Sequence, residues 1–585
     1  MQHAQHAGML GAGGTSGEAR RSRRRGAAVA ATLAAVLLAS AARPDTFSFG
    51  GTFSPAQSGS YHDQQFLVPE GTAAVHVSYS YSSTGEAGAL FANVVDIGIY
   101  DPLGLRGWSG SAKSSFSVAL SAEKTTDGYV AGPMPAGPWL VEVGAAYVNA
   151  GSSTSWQVTV ETEPGSGAPF AAPSWQEVTL GGAGWYAGDL HCHSTHSDGA
   201  QPPAQVFAYA RQRGLDFIAL TDHNAFTGHY EMHALQEQYD DILLVRGLEL
   251  TSYRGHANVF GLTGYQDYHA TEPGYDIGTV IDAIHEAGGL FSVNHPDLPG
   301  AEPAPGAKVS GGWTVEGTDW SQIDLIEVLN GGATLGGAVV NPFNAAAIEH
   351  WDKLLSEGRH VFAVGGSDDH LAGQGSTDES PSYAPIGTPT TVVYAAQWSE
   401  QGILAGLRAG RAYIRAESPL GPDLFVTADC GGPPATMGEE ATGPWCRVTG
   451  RAVGGTGQRL VLVHDAQIAG EAVAQGDDFS HDFENLVPAK QSYVRLELRT
   501  EEGLLLALTN PVFLRSGPGP AWRARRRPGV PHEAGTGCSP QRPSCWPRPG
   551  AGAAPRGAAT ARCCSRARSV PRRRPPRSCP GRSSG

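Results

Sequence analysis

The amino-acid sequence predicts a central α/β domain between two all-β domains. From about residue 184 to 416, short apolar strands alternate with helical periodicities. On both sides of that region, runs rich in Val, Tyr, Ser and Thr are separated by glycine and proline turns, which is typical of β-sandwiches. The repeated strand–helix order of the central region predicts parallel strands, in an open sheet or in a barrel. The predicted domains are an N-terminal β-sandwich over 45–165, the α/β domain over 184–416 and a C-terminal β-sandwich over 417–516.

Residues 1–42 have the composition of a secretory signal peptide. A basic run from Arg20 to Arg25 precedes an apolar stretch and a group of small residues. A single membrane anchor is the alternative, but about 16 apolar residues, most of them alanine, fall short of the ~20 that a spanning helix needs. We therefore expect an exported protein, secreted, periplasmic or at the cell surface, with no membrane span in its mature form.

The last segment, 517–585, is predicted to be disordered, because Arg, Pro, Gly, Ala and Ser dominate it and core-forming residues are scarce. Between the two ends, residues 45–516 carry 20 basic and 54 acidic side chains, a net charge of −34. A field of this sign repels polynucleotide backbones and so argues against a nucleic-acid polymer as partner. We expect a small-molecule substrate, with the sandwiches as candidate contacts for a surface or a carbohydrate.

The cysteines outside the last segment have two different expected roles. Cys430 and Cys446 can form one disulfide in an exported chain. Cys192 lies between two candidate metal ligands, and successive side chains of a strand face opposite ways. We expect the thiol to point into the wall of the domain and away from a metal.

The segment Asp189–Gly199 is the part of the chain richest in metal-binding side chains. His191 and His193 are two residues apart at a strand end, so both imidazoles face the same side and can bind one ion. Such a pair alone means little in a chain with 20 histidines. Asp198 follows in the loop as a further ligand or, alternatively, as the cap of the helix that begins near residue 202.

Four further strand ends carry the same kinds of side chain. The carboxyl ends of strands in α/β proteins are where functional sites lie. These ends supply His223, with Asp222 as its orienting neighbour; Glu249 and, across a tight turn, His256; His295, which precedes a proline and is expected to be extended; and Asp368 with His370. Imidazoles and carboxylates without thiolate favour Zn, Mn or Fe, and nine ligands suffice for two to three divalent ions with positions left for water.

Two further side chains are candidates for substrate contact. His196 lies in the loop that carries Asp198. Arg254, beside His256, meets an anionic substrate or forms a surface ion pair. The histidines of the predicted helices, such as His229, are interpreted as surface or packing residues.

Together these motifs resemble the PHP superfamily, named for polymerase and histidinol phosphatase. The residues that carry the resemblance are His191-x-His193, the Ser-Asp198-Gly turn, Thr-Asp-His223, Asn-His295-Pro and Gly-Ser-Asp368-x-His370. It covers about 184–416 and is nearest to the branch with carbaryl hydrolase-like and microcin-biosynthesis-like metallohydrolases. It implies a distorted seven-stranded βα barrel with a trinuclear centre. By resemblance, His191, His193, Glu249 and Asp368 would hold one ion, Glu249, His256 and His295 a second, and Asp198, His223 and His370 a third.

The function implied is hydrolysis by a hydroxide that bridges two ions. The predicted catalytic residues are Asp198, His223, Glu249 and Arg254. Phosphoester hydrolysis is the first prediction, because a multi-metal site suits it. Hydrolysis of a carboxylic ester, carbamate or amide is the second, and an inert surface-binding protein is the third.

Overall fold

A computed structural model describes residues 44–83, 92–331, 341–374 and 384–517. The predicted signal peptide, 1–42, lies outside the described residues, as does the predicted disordered segment from residue 518 onward. Among the described helices, none is both long and apolar enough to span a bilayer.

The first part of the chain forms two antiparallel sheets that face each other. Their strands are β1 (Thr46–Phe53), β2 (Ser60–Val68), β3 (Thr72–Tyr81), β4 (Val94–Asp101), β5 (Gly104–Gly110), β6 (Ser115–Ala119), β7 (Gly137–Tyr147) and β8 (Thr154–Pro164). One sheet has the order β1-β8-β3-β6 and the other β2-β7-β4-β5. Alternate residues of β8 are buried, as expected of a strand with one face on a core. Val77 and Val158 of one sheet share that core with Ile99 and Val141 of the other, so this is the β-sandwich that the sequence predicts.

The central region alternates strands and helices. Its strands are β9 (Thr179–Gly181), β10 (Gly184–Asp189), β11 (Phe217–Leu220), β12 (Leu243–Ser252), β13 (Gly255–Phe260), β14 (Leu290–Val293), β15 (Ala301–Ala304), β16 (Ala307–Val309), β17 (Leu325–Asn330), β18 (Phe362–Gly366), β19 (Thr390–Ala395), β20 (Trp398–Ser399) and β21 (Ala412–Arg415). Its helices are α1 (Pro203–Gln212), α2 (His229–Gln236), α3 (Ile277–Glu286), α4 (Asn344–Ser356) and α5 (Glu400–Arg408). Helix α3 illustrates why such a segment is helical. Asp276 caps its N-terminus, and Ile277, Ile281 and Ile284 form one buried stripe.

The central sheet is a mixed, continuous path and not the closed seven-stranded βα barrel that the resemblance implies. Its order is β18-β17-β14-β13-β12-β11-β10-β19-β21. Strand β13 pairs antiparallel with both β12 and β14, because the tight turn at Gly255 returns the chain without a crossover helix. Beyond the strand ends, a bridge joins Cys192 to Asp369, and Asp368 N–H donates to His191 O at 2.8 Å. The residues that follow β10 and β18 therefore meet.

The last part of the chain continues the central sheet. Its strands are β22 (Asp423–Asp429), β23 (Ala435–Thr436), β24 (Glu440–Gly443), β25 (Cys446–Val453), β26 (Arg459–His464), β27 (Gln467–Val473), β28 (Asp478–Leu486), β29 (Ser492–Arg499), β30 (Leu505–Thr509) and β31 (Val512–Ser516). The ladder passes from β21 through β30, β29 and β26 to β27, while β23-β22-β25-β28 form a separate sheet over it. The predicted C-terminal β domain is thus hydrogen-bonded to the central one. The predicted limit at 416 falls between β21 and β22.

The Cys430–Cys446 disulfide joins the end of β22 to the start of β25, with the Cα atoms 4.1 Å apart. Replacing both cysteines by serine is expected to lower the free energy of unfolding by about 3 kcal/mol, because the bond closes a loop of about 16 residues in the unfolded chain. Urea titration followed by circular dichroism measures this. Reduced wild-type protein should match the double variant, and an unchanged midpoint in both would contradict the expectation.

Candidate metal centre

All nine predicted ligands lie together at one end of the central sheet. They fall into four groups whose ligand atoms lie within 4.8 Å of one another. The groups are His193, Asp198, His223 and His370; His191, His193 and Glu249; His191, His295 and Asp368; and His223, Glu249 and His256. The alternative role of Asp198 as a helix cap is not observed, since α1 begins after Pro202 without a side-chain cap.

Glu249 lies at the middle of the cluster and is fully buried. Its Oε1 lies 3.3 Å from His191 Nε2 and 3.3 Å from His256 Nδ1. Its Oε1 is also 3.5 Å from His295 Nε2, and its Oε2 is 2.5 Å from His223 Nδ1. One carboxylate is therefore shared by imidazoles from four different strand ends.

The two aspartates also contact imidazoles of the cluster. Asp368 Oδ1 is 3.1 Å from His193 Nε2 and 3.4 Å from His191 Nε2. Asp198 Oδ1 is 3.3 Å from His370 Nε2, and the His193 and His370 rings stack with centroids 4.1 Å apart. His193 thus lies between the two aspartates, and it belongs to both the Asp198 and the Glu249 groups. Which residues share which ion stays a prediction.

Three of the six described non-glycine residues with positive φ lie at these strand ends. Asn224, His295 and Asp368 have positive φ angles of 48°, 26° and 54°. Non-glycine residues rarely adopt this region, and they do so mainly where function holds them. The expected extended conformation of His295 is therefore wrong. Its N–H instead donates to the buried Glu327 Oε2 at 2.9 Å, which fixes the turn.

The donor set fits divalent cations. His191 Nε2, His256 Nδ1 and Glu249 Oε2, which all lie within the cluster, are buried without a hydrogen-bond partner among the described residues. His191 Nε2 is close to Glu249 but lacks the geometry of a hydrogen bond, as expected when both atoms aim at a common point between them. Because a buried polar atom without a partner costs about 1–3 kcal/mol, a cation at that point would remove the cost.

Neighbouring charges within the cluster shift the pKa values of its members. Burial opposes ionisation of His223 and His370, yet the neighbouring carboxylates raise their pKa values to about 9 and about 10. Burial and the adjacent imidazolium charges lower the pKa of His193 to about 4. Against the effect of burial, these imidazoles hold the pKa of Asp198 well below its ordinary value. Metal binding would displace these protons, so metal affinity should rise with pH.

Sequence reasoning missed Glu327, which lies inside β17 and is buried. Its Oε1 lies 3.0 Å from His191 Nδ1, which turns the other ring nitrogen toward Glu249. A Cβ at Gly366 would lie 2.8 Å from Glu327 Oε1 and 2.4 Å from His191 Cβ, so only glycine leaves room for this contact. A carboxylate within an otherwise apolar strand was the signal that could have identified it.

Asp222 has a different role from the predicted one. It accepts hydrogen bonds from Ser194 N–H at 2.8 Å and from the hydroxyls of Ser194 and Ser197 at 2.7 Å. His223 Nδ1 instead lies 2.6 Å from Thr251 Oγ1. Asp222 therefore shapes the loop before Asp198 rather than orienting the His223 ring.

The remaining candidates have structural contacts. Arg254 Nη1 donates to Lys308 O at 2.7 Å, and its Nη2 lies 3.8 Å from Glu272, which matches the ion-pair alternative. His196 is buried and lies 2.7 Å from Thr227 Oγ1, as a packing residue does. The Cys192 thiol is buried and donates to Ala219 O, away from the cluster as expected.

Comparison with known proteins agrees with this geometry. Residues 189–292 match the family model described as PHP domain. An uncharacterised protein of Methanocaldococcus jannaschii is 28% identical over 122 residues, which is 19% of this chain and 68% of the relative. A phosphoribosyl 1,2-cyclic phosphate 1,2-diphosphodiesterase of Eggerthella lenta is 38% identical over 65 residues, which is 11% of this chain and 24% of the relative. The matched part thus spans about two thirds of the first relative and about a quarter of the second.

Among solved structures, a two-domain protein of Bacteroides vulgatus that contains a predicted PHP-like metal-dependent phosphoesterase is 20% identical. The likeness covers 58% of this chain and 100% of that one, with a TM-score of 0.32. The family match supports the PHP resemblance for the segment that carries His191 to His256. The finer placement in the carbaryl hydrolase-like branch stays a prediction.

Proposed function

We propose that the chain is a metal-dependent phosphoesterase with two to three divalent ions, Zn, Mn or Fe, on the nine clustered residues. The observation that carries the proposal is Glu249, a fully buried carboxylate shared by imidazoles from four strand ends. A buried negative charge such as the Glu249 carboxylate is stabilised when several cations surround it. Glu249 therefore fits a bridging role between divalent ions. Bound ions would supply Lewis acidity and would lower the pKa of water near neutral pH.

The residues of the cluster divide between a floor and an exposed face. His191, His193 and Glu249 have no exposed side-chain surface, whereas the side chain of Asp198 is 40% exposed and those of His370 and His256 are each 20% exposed. Substrate therefore approaches over this exposed face, on which Asp198 is the most exposed of these side chains. Asp198 is held in its charged form by the neighbouring imidazoles, which suits it to bind a cation on that side.

Phosphoesters are the favoured substrates for two reasons. A site for several ions can contact both the attacking and the leaving oxygen of a phosphoryl group. The relative from Eggerthella lenta is named as a diphosphodiesterase of a cyclic phosphate. Hydrolysis of a carboxylic ester, carbamate or amide, as the carbaryl hydrolase-like branch would imply, is the second candidate. Export is proposed as well, supported by the Cys430–Cys446 disulfide, since such bonds persist in oxidising compartments.

The test is metal analysis of the purified protein together with parallel assays on three substrates. p-Nitrophenyl phosphate, bis-p-nitrophenyl phosphate and a naphthyl ester or carbamate cover the candidates. We expect turnover of at least one phosphoester, abolished by chelation and restored by Zn, Mn or Fe. Turnover of the ester or carbamate alone would favour the second candidate, and absence of both metal and turnover would leave a binding protein.

A further inference from the structure

A lysine of the N-terminal sandwich lies beside the candidate metal centre. Lys113 precedes β6, and its Nζ donates to Ser197 O at 2.6 Å. Ser197 directly precedes Asp198, and the Asp198 side chain lies on the exposed face of the cluster. The sandwich therefore places a cation at the rim of a site whose other members are acids and imidazoles.

The sandwich contacts the same loop at two further points. Thr195 Oγ1 donates to Asp127 Oδ2 at 3.0 Å, and Gly128 N–H donates to His196 Nδ1 at 3.2 Å. Gly128 has a φ of +90°, and a Cβ there would lie 2.1 Å from His196 O. This approach is so close that only glycine fits. The sandwich therefore contacts the loop through Asp127 and Gly128 as well as through the Lys113 side chain.

Charge and hydrogen-bonding capacity indicate what this lysine can bind. Burial lowers the pKa of Lys113, while the carboxylates of Asp222, Asp198 and Asp127 oppose that shift, so three acids lie within its field. Ser197 O uses one of the three ammonium hydrogens and leaves two. An anion that approaches a chain segment with a net charge of −34 is repelled, so a partly buried cation at the entrance lowers that barrier.

We propose that Lys113 binds the non-reacting anionic oxygens of the substrate on the Asp198 side of the centre, so that the N-terminal sandwich forms one wall of the active site. The inference rests on the proposed phosphoesterase function, because a neutral ester has no anionic oxygen for this lysine. This role gives a functional reason for the contacts between the N-terminal sandwich and the loop at residues 195–197.

The test is Lys113→Gln, which keeps a hydrogen-bond donor for Ser197 O and removes the charge. On the metal-loaded full chain we expect KM for p-nitrophenyl phosphate and Kd for inorganic phosphate, by calorimetry, to rise about tenfold. kcat should change by less than about twofold, metal content should stay constant, and Lys113→Arg should restore phosphate binding. Lys124→Gln is the matched control, because that lysine of the same domain is 64% exposed and pairs with Glu163.

Three outcomes overturn the inference. If Lys113→Gln binds phosphate like the wild type, or if wild-type protein binds no phosphate, the lysine does not recognise the anion. If Asp127→Asn, which loosens the same loop contact and keeps the lysine, weakens phosphate binding equally, Lys113 is only a structural support. Should the wild type bind phosphate but hydrolyse no phosphoester, the proposed function fails, while the phosphate affinities of the variants still decide the role of Lys113.

Discussion

Replacing Glu249 by glutamine is expected to remove at least one metal ion and to lower kcat/KM by more than about 100-fold, since loss of partners outside the ligand shell already costs 10–100-fold. The change keeps the volume of the side chain and removes its charge. Its Oε1 and Oε2 lie within 3.5 Å of four imidazoles, so an amide group there cannot serve ions on both sides. Elemental analysis of the purified variant and steady-state kinetics on the best phosphoester measure both effects.

Glu286→Gln is the matched control, because this residue ends α3 with an exposed side chain. It should keep the metal content and the activity of the wild type. A Glu249→Gln protein that is folded by circular dichroism and retains full metal content and activity would show that Glu249 bridges no ions. Loss of one ion with full activity would restrict catalysis to the remaining ions.

Several candidate ligands could be predicted from the sequence because they come shortly after an apolar strand. His223 comes shortly after the buried strand β11, and Asp368 comes shortly after β18. Their position near the site can be predicted without knowing which strands pair, because the ends of neighbouring strands meet at one edge of the sheet. Whether neighbouring strands pair parallel or antiparallel could not be predicted in this way. Strand β13 runs antiparallel to both of its neighbours, which depends on the tight turn at Gly255.

Contacts that join distant parts of the chain could not be predicted from local patterns. The ladder from β21 to β30 pairs Tyr413 with Thr509, across what the change of composition predicted to be a domain boundary. Lys113 and Ser197 come from different domains, and nothing in the run around Lys113 marks it as part of a site. Glu327 is local to its strand, but its role depends on His191 and on the space left by Gly366. These residues act through tertiary packing, which one-dimensional periodicity does not record.

Replacing Glu327 by glutamine is expected to weaken metal affinity about 10–100-fold, as loss of a carboxylate behind a ligand histidine typically does. Oε1 lies 3.0 Å from His191 Nδ1, and Oε2 accepts His295 N–H at 2.9 Å. An amide keeps only one acceptor, so its NH₂ group must face either the imidazole or the backbone N–H. With Gly366 packed against the same carboxylate, the side chain has little room to move. Competition with a chelator of known affinity measures the change.

The response to added metal separates this positioning role from that of a ligand. Because Glu327→Gln leaves all nine candidate ligands in place, saturating metal should restore most of its kcat, whereas Glu249→Gln should stay inactive. Glu349→Gln, on the exposed face of α4, controls for the loss of a carboxylate and should bind metal like the wild type. Wild-type metal affinity in Glu327→Gln would mean that the buried carboxylate does not orient His191. Failure of excess metal to restore a folded variant would instead place Glu327 among the residues that the reaction itself requires.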